Sequence, residues 1–238
     1  EGHATHPRDI ERALANDFSA DPDRRDLQCE AVAHIHVQRL IDAGRDPDIW
    51  PASAAYACWL HEEFCSRLPP EMQWVTQPRT GERIPVIPGS WRVHDVEVGR
   101  HLPPDHGDIP RFMARFDRAY GAPPLNRFRQ IQAVGAVHHR FLWIHPFLDG
   151  NGRVARLMSH ALFKRLGIGN SLWSVARGLA RDEIQYKRLL AQADGPREGE
   201  RDGRGNLTQR GLVEFCKFFL DRAIDQVRFM EGLLDPTT

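Results

Sequence analysis

The feature that most limits what this 238-residue chain can fold into is the spacing of its apolar residues, which recur at threes and fours and seldom at twos. That period puts apolar side chains on one face of a helix, whereas a period of two would line one face of a strand. The stretch from Thr208 to about Leu234 shows it best, with Leu212, Phe215, Phe219, Ala223, Val227 and Met230 on one stripe. Arg222 and Gln226 interrupt any heptad seam, so the stripe suits a globular core rather than a coiled coil. The same period predicts helices over Asp26 to about Ala43, through Leu27, Ala31 and Ile35, and over Ala52 to Ser66, through Tyr56, Leu60 and Phe64. Pro7 opens a short helix carrying Ile10, Ala13 and Leu14, as proline in a first turn does. Asp108 can cap a helix through about Tyr120, and a long apolar helix follows from Asn126 to Trp143. Two more run from Arg153 to Leu166, stopped by Gly167, and from Ser174 to near Ala193, the latter carrying Tyr186. Residues 80–105 change character: Pro85, Pro88 and Gly89 punctuate them, and Val96 and Val98 alternate with Asp95 and Glu97, which predicts one β-hairpin. With eight helical segments, one hairpin, no internal repeat and no βαβ alternation, the expected fold is a mainly α single domain over residues 1–238.

Composition narrows the class further. Thirty-two basic residues balance 32 acidic ones, and 41% hydrophobic with 27% charged residues is ordinary for a soluble globular chain, which excludes disorder, collagen and a supercharged nucleic-acid arm. No apolar run is long enough for a bilayer, and the N-terminus lacks a basic-then-apolar export signal, so neither membrane nor nucleic acid is expected as a partner. Cys29, Cys58, Cys65 and Cys216 show no C-x-x-C spacing and lie in apolar helical patterns, as small buried hydrophobes do, which predicts free thiols and a cytoplasmic setting. His138, His139 and His145 lack a carboxylate or cysteine at ligand spacing, so zinc is not expected. The charged, glycine-rich run 194–206 is expected to be a solvated surface loop.

The chemically informative stretch lies between two apolar helices: His145-Pro-Phe-Leu-Asp149-Gly150-Asn151-Gly152-Arg153-Val-Ala-Arg156. Gly150, Asn151 and Gly152 can turn successive backbone N–H groups inward as a nest for an anion, to which the next helix adds its N-terminal N–H groups and positive dipole end. Arg153 and Arg156, three apart, share a helical face and can clamp successive phosphate groups. Asp149 beside such a nest would repel a bare phosphate, so a hard cation such as Mg²⁺ is expected between them. His145 titrates near neutrality and can take a proton from an incoming hydroxyl. Each residue alone also suits an ordinary helix-loop-helix turn with surface arginines. Seven together at this spacing favour a site.

These residues resemble the signature of the Fic family, His-x-Phe-x-Asp/Glu-Gly-Asn-Gly-Arg-x-x-Arg, matched at every defined position. The flanks are similar too: residues 89–104 (GSWRVHDVEVGRHLPP) to the family's flap hairpin, and 171–194 to the segment lining its nucleotide base. The resemblance implies a Fic-type helical core with a small β-hairpin flap, divided into N-terminal helices (1–70), flap (80–105), catalytic core (126–193) and C-terminal helix (208–235). It implies transfer of AMP from ATP, with Mg²⁺, to a Ser, Thr or Tyr hydroxyl of a target protein docked at the flap, or to the chain itself. His145 would then be the general base, Asp149 the metal ligand, and Gly150, Asn151 and Gly152 the anion hole. Arg153 would meet the β-phosphate region, Arg156 would pair with the γ-phosphate, and Phe147 would anchor the loop to the core. Val98, Gly99, Arg100 and His101 resemble the flap segment bordering the nucleotide. Tyr186, with Gln185 beside it, is either the aromatic over the adenine or a half-buried core tyrosine.

One class of the family carries an inhibitory helix ending in Ser/Thr-x-x-x-Glu-Gly/Asn, whose glutamate pairs with the second motif arginine. Glu1-Gly2 resembles the end of that motif, so Glu1 is expected to be an inhibitory glutamate, with an N-terminal acid of no role as the alternative. Many members also carry a C-terminal helix-turn-helix for DNA, and none is expected in this chain. Removal of AMP from a modified protein, and a module that binds nucleotide without transferring it, are the competing functions.

Overall fold

In the computed structural model, the structure describes residues 6–77, 80–121, 126–169, 173–203 and 205–234. Nine α-helices account for most of them: α1 Pro7–Leu14, α2 Pro22–Asp42, α3 Ala54–Cys65, α4 Ile109–Tyr120, α5 Arg127–Ile144, α6 Asn151–Arg165, α7 Val175–Arg181, α8 Glu183–Ala193 and α9 Gln209–Leu234. A two-stranded antiparallel sheet, β1 Trp74–Thr76 with β2 Arg83–Pro85, lies between α3 and α4. No described helix is long and apolar enough to cross a membrane.

Helix starts follow local chemistry. The Asp21 carboxylate accepts the N–H groups of Asp23 and Arg24, the Ser53 hydroxyl accepts that of Tyr56, and the Asn126 side-chain oxygen accepts that of Arg129. Each satisfies a backbone donor that the first helical turn leaves without a partner. The expected last-but-one helix is in fact two, because Asp182 leaves helical geometry at φ −132° and ψ 48° between α7 and α8.

At the centre lies α6, packed by α2, α3, α5 and α7. Its residues Val154, Ala155, Leu157, Met158, Ala161, Leu162 and Phe163 are all buried, as a helix surrounded by others requires. Phe141, Phe147, Phe163, Phe215 and Phe219 fill the space around it, each worth roughly 1.5–3 kcal/mol of burial. Where α5 meets α9, Gly135 allows close approach: a β-carbon there would lie 3.2 Å from the Cα of Cys216. The four cysteines are free thiols, and burial pushes that of Cys65 up to about 12.

The small sheet sits upstream of where alternation placed it. Its ladder pairs Trp74 with Pro85, Val75 with Ile84 and Thr76 with Arg83, so only residues 83–85 fall inside the expected 80–105 hairpin. Residues 89–104 form an irregular loop closed at its tip by one reciprocal pair, in which Val98 and His101 each donate to the other's carbonyl at 3.0 Å. The ladder stops there because Pro103 and Pro104 have no N–H to donate. The Asp95 carboxylate meanwhile bonds the His106 backbone (2.8 Å) and ring (3.0 Å).

Candidate active site

The motif occupies the turn from α5 to α6. His145 ends α5 in the left-handed region (φ 51°, ψ 59°), a conformation that costs a non-glycine residue roughly 1–2 kcal/mol. Its Nδ1 lies 3.3 Å from the Leu142 carbonyl. Taking Nδ1 as the donor, which that bond favours, leaves the lone pair on Nε2, the arrangement a general base needs.

The rest of the turn is tied to the core by its own side chains. Phe147 is fully buried, stacked on the His61 ring of α3 at 3.9 Å and 7°, which is the anchoring role expected of it. Asn151 is also buried; its side-chain oxygen accepts the Phe147 N–H (3.0 Å) and its amide donates to the Phe147 carbonyl (2.8 Å). The Asn151 side chain therefore shapes the loop, and what it can offer an anion is its backbone. Gly150 takes φ +78°, and no side chain caps α6 after it. The first turn of α6 carries no acidic residue, and its N-terminal dipole end is a geometry suited to a phosphate.

Charge in the site is unevenly shared. Arg153 forms a close ion pair with Glu30 of α2, lies 3.8 Å from Asp149, and packs over the Phe64 ring at 5.5 Å. Arg156 sits one turn further along α6, where its charge helps burial push His34 and His138 down to about 3. Asp149 is partly exposed, and among the described residues no group of three or more His, Cys, Asp or Glu forms a metal cage. A Mg²⁺ held by one carboxylate together with substrate phosphates needs no such cage, so Asp149 fits that cation.

The flap residues divide. Val98, Gly99 and Arg100 are exposed at the tip. His101 turns inward instead: Nε2 lies 2.9 Å from the Trp143 carbonyl and Nδ1 3.6 Å from Asp194, whose other oxygen is 3.0 Å from buried His139. Gln185 accepts a bond from Arg188 at the surface (3.1 Å). The Tyr186 hydroxyl is 2.8 Å from Nε2 of His138, whose Nδ1 is 2.9 Å from Ser159, so Tyr186 is tied into the core, and any base above it would meet only its ring. Glu1 lies outside the described residues. In the 194–206 run, Asp202 accepts the N–H groups of Gln209 and Arg210 and so caps α9.

Three contributors were not singled out from the sequence: Glu30, His61 and Arg92. Gly89 donates to Nδ1 of His61 at 2.9 Å, so the ring proton is on Nε2, 3.2 Å from the Asp149 carbonyl; burial pushes this histidine down to about 4 and keeps it neutral. Arg92 is buried and donates to the His145 carbonyl at 2.9 Å.

Comparison with known proteins agrees with this geometry. Residues 51–163 match the family model described as the Fic/DOC family. The proteins named "Protein adenylyltransferase Fic" of Drosophila erecta and Drosophila melanogaster are each 36% identical over 87 residues, 37% of this chain and 18% of theirs. The chain thus matches less than a fifth of the length of these curated relatives. Among solved structures, a Fic family protein from Desulfovibrio desulfuricans superposes with a TM-score of 0.64 at 19% identity, over 95% of this chain and 59% of that one. A Fic domain containing signaling protein from Bacteroides thetaiotaomicron gives 0.61 at 17%, over 93% and 77%. With the motif turn assembled at the head of α6 and the same helical architecture around it, residues 51–163 form a domain of the Fic/DOC family.

Proposed function

We propose that this protein is an adenylyltransferase that moves AMP from ATP to a hydroxyl side chain of a protein. The observation that carries the proposal is the juxtaposition in one turn of a histidine, whose Nδ1 lies 3.3 Å from the Leu142 carbonyl, and a helix start without a side-chain cap, bearing two arginines on one face. The names of the Drosophila relatives support the same activity.

The chain's own groups suffice for a balanced step. Nε2 of His145 takes the proton of a Ser, Thr or Tyr hydroxyl, the oxygen bonds to the α-phosphorus, and the bond from that phosphorus to the β-bridging oxygen breaks to release pyrophosphate. Backbone N–H groups of Gly150, Asn151 and Gly152 receive charge on the α- and β-phosphates, with Arg153 and Arg156 on the phosphates beyond. Mg²⁺ on Asp149 would supply further charge neutralisation. Most of the catalysis is positioning, as phosphorus transfer requires. The exposed flap tip, Val98 to Arg100, offers a surface against which an extended target segment, or a segment of a second copy, can lie. Free thiols suit a reducing compartment such as the cytoplasm. Glu1 restrains the reaction by pairing with Arg156 where the γ-phosphate would sit.

Incubating the protein with Mg²⁺ and ATP radiolabelled on the α-phosphate tests this. Transfer to protein should rise in Glu1→Gly and fall by about 10²–10⁴-fold in His145→Ala. ATP bound with no label transferred in any variant, against a panel of candidate targets, would overturn the proposal.

A further inference from the structure

Arg92 is a buried cation whose contacts come from three separate parts of the chain. Its side chain has no exposed surface, although the carboxylate paired with it, Asp95 at 3.5 Å, is largely in solvent. Carbonyl oxygens do the rest. Nη1 donates to His94 at 2.9 Å, Nη2 to Pro104 at 2.5 Å and Nε to His145 at 2.9 Å, while the Arg92 backbone N–H donates to Pro146 at 2.9 Å. A buried charge costs free energy unless it is fully hydrogen-bonded, and a planar guanidinium can direct donors to three separate acceptors where an ammonium offers a point charge.

Two of these acceptors bear on the chemistry. The carbonyls of His145 and Pro146 are consecutive, so Arg92 sets both peptide planes that follow the base. His145 is in a left-handed conformation that a non-glycine residue keeps only where its surroundings over-determine it. The other two acceptors, His94 and Pro104, stand on either side of the flap tip. Its tip is closed by the Val98–His101 pair and held to α5 through the bond between His101 and the Trp143 carbonyl.

We propose that Arg92 is a positioning residue that fixes the backbone of the general base and the mouth of the flap as a single unit, so that the base and the surface meeting the target keep one relative placement. This deepens the transferase reading and rests on it for its kinetic consequence. The hydrogen bonds of Arg92 go to His94, Asp95, Pro104, His145 and Pro146 and not to Asn151, Gly152, Arg153 or Arg156 of α6, so it should act on turnover rather than on ATP affinity.

The test uses Arg92→Lys, which keeps the charge and much of the stem but loses the fork. Labelling kinetics should show kcat lowered about 100-fold, the scale of a displacement near 1 Å at a reacting group, with KM for ATP within threefold of the parent. Amide hydrogen exchange gives a second readout that does not depend on activity: protection should fall at least tenfold together at Val98 and His101 in the flap and at Phe147 in the motif turn. Loss of protection in the flap alone, or kcat within threefold of the parent, would overturn the proposal. A parent protein that transfers no AMP would sink the transferase reading, and the exchange data would still decide the role of Arg92. If the variant does not fold, native-state exchange of the unaltered protein in low denaturant decides: a common opening free energy for Val98, His101 and Phe147 supports the single unit, and well-separated values refute it.

Discussion

Replacing Phe147 with alanine removes the ring that anchors the motif turn, and the structure sets the size of the effect. The ring is fully buried, stacked on His61 at 3.9 Å and inclined to Phe141 at 6.2 Å. Deleting such a ring from a packed core costs about 3–5 kcal/mol, the lost transfer energy plus the cavity left behind. The tight surroundings favour the upper half: Phe147 is bracketed by the reciprocal Asn151 bonds, so the backbone cannot collapse inward without breaking them. For a chain of this size, each kcal/mol lowers the melting temperature by about 2–4 °C, so a cost of about 4–5 kcal/mol should melt Phe147→Ala roughly 8–20 °C below the parent. Phe147→Leu, which refills most of the volume, should cost about 1 kcal/mol. Urea denaturation followed by tryptophan fluorescence measures both, with the slope expected to stay unchanged. A cost below about 1 kcal/mol for the alanine variant would mean that the turn is held without the ring, and the anchoring argument would fail.

Two further outcomes follow from buried charge. His138 is buried and pushed down to about 3, so the unfolded chain binds a proton that the folded one refuses between about pH 6.5 and 3; stability is greatest above pH 6.5 and falls on acidification. From pH 7 to 5 this one group should remove about 2 kcal/mol, measured by urea titration at both values. Arg156, Tyr186 and Ser159 face it, and replacing His138 with Gln should remove that part of the pH dependence; an unchanged profile would refute the assignment. Glu30→Gln should destabilise the protein by about 1–2 kcal/mol, less than the 3–5 of a fully buried pair because Glu30 reaches solvent and Asp149 remains near Arg153. Denaturation in low and high salt checks this, and no change at either would show the pair to be energetically idle.

How much of the site could be read from the chain depends on sequence distance. His145 to Arg156 are consecutive, so their types and spacing already described a phosphate cradle, and the three-to-four period marked nearly every helix. Arg92 and His61 act through tertiary contact instead, on carbonyls 53 and 88 residues away. Neither has a local signal: Arg92 sits among prolines and glycines like any loop residue, and His61 continues the apolar pattern of α3. Glu30 has no local signal either, because nothing in the chain says that α2 crosses α6. The strand ladder falls upstream of the alternating stretch for a related reason. Alternation along Asp95 to Val98 reports two faces, but a ladder also needs a partner with N–H groups, which Pro103 and Pro104 cannot be.

The match to the family ends at residue 163, yet the folding unit does not. His138 and Phe163, both within the matched span, lie against Phe219 of α9, with ring centroids 4.9 and 6.3 Å away, and Gly135 is shaped to receive the backbone at Cys216. During synthesis, the face of α5 that carries the base at its end must wait for a segment made some 80 residues later before it is covered. A polypeptide cut at the border of recognisable similarity would therefore display that face to solvent and self-associate. The reach of a domain is set by the last element that seals its interior, here α9, rather than by where its signature fades.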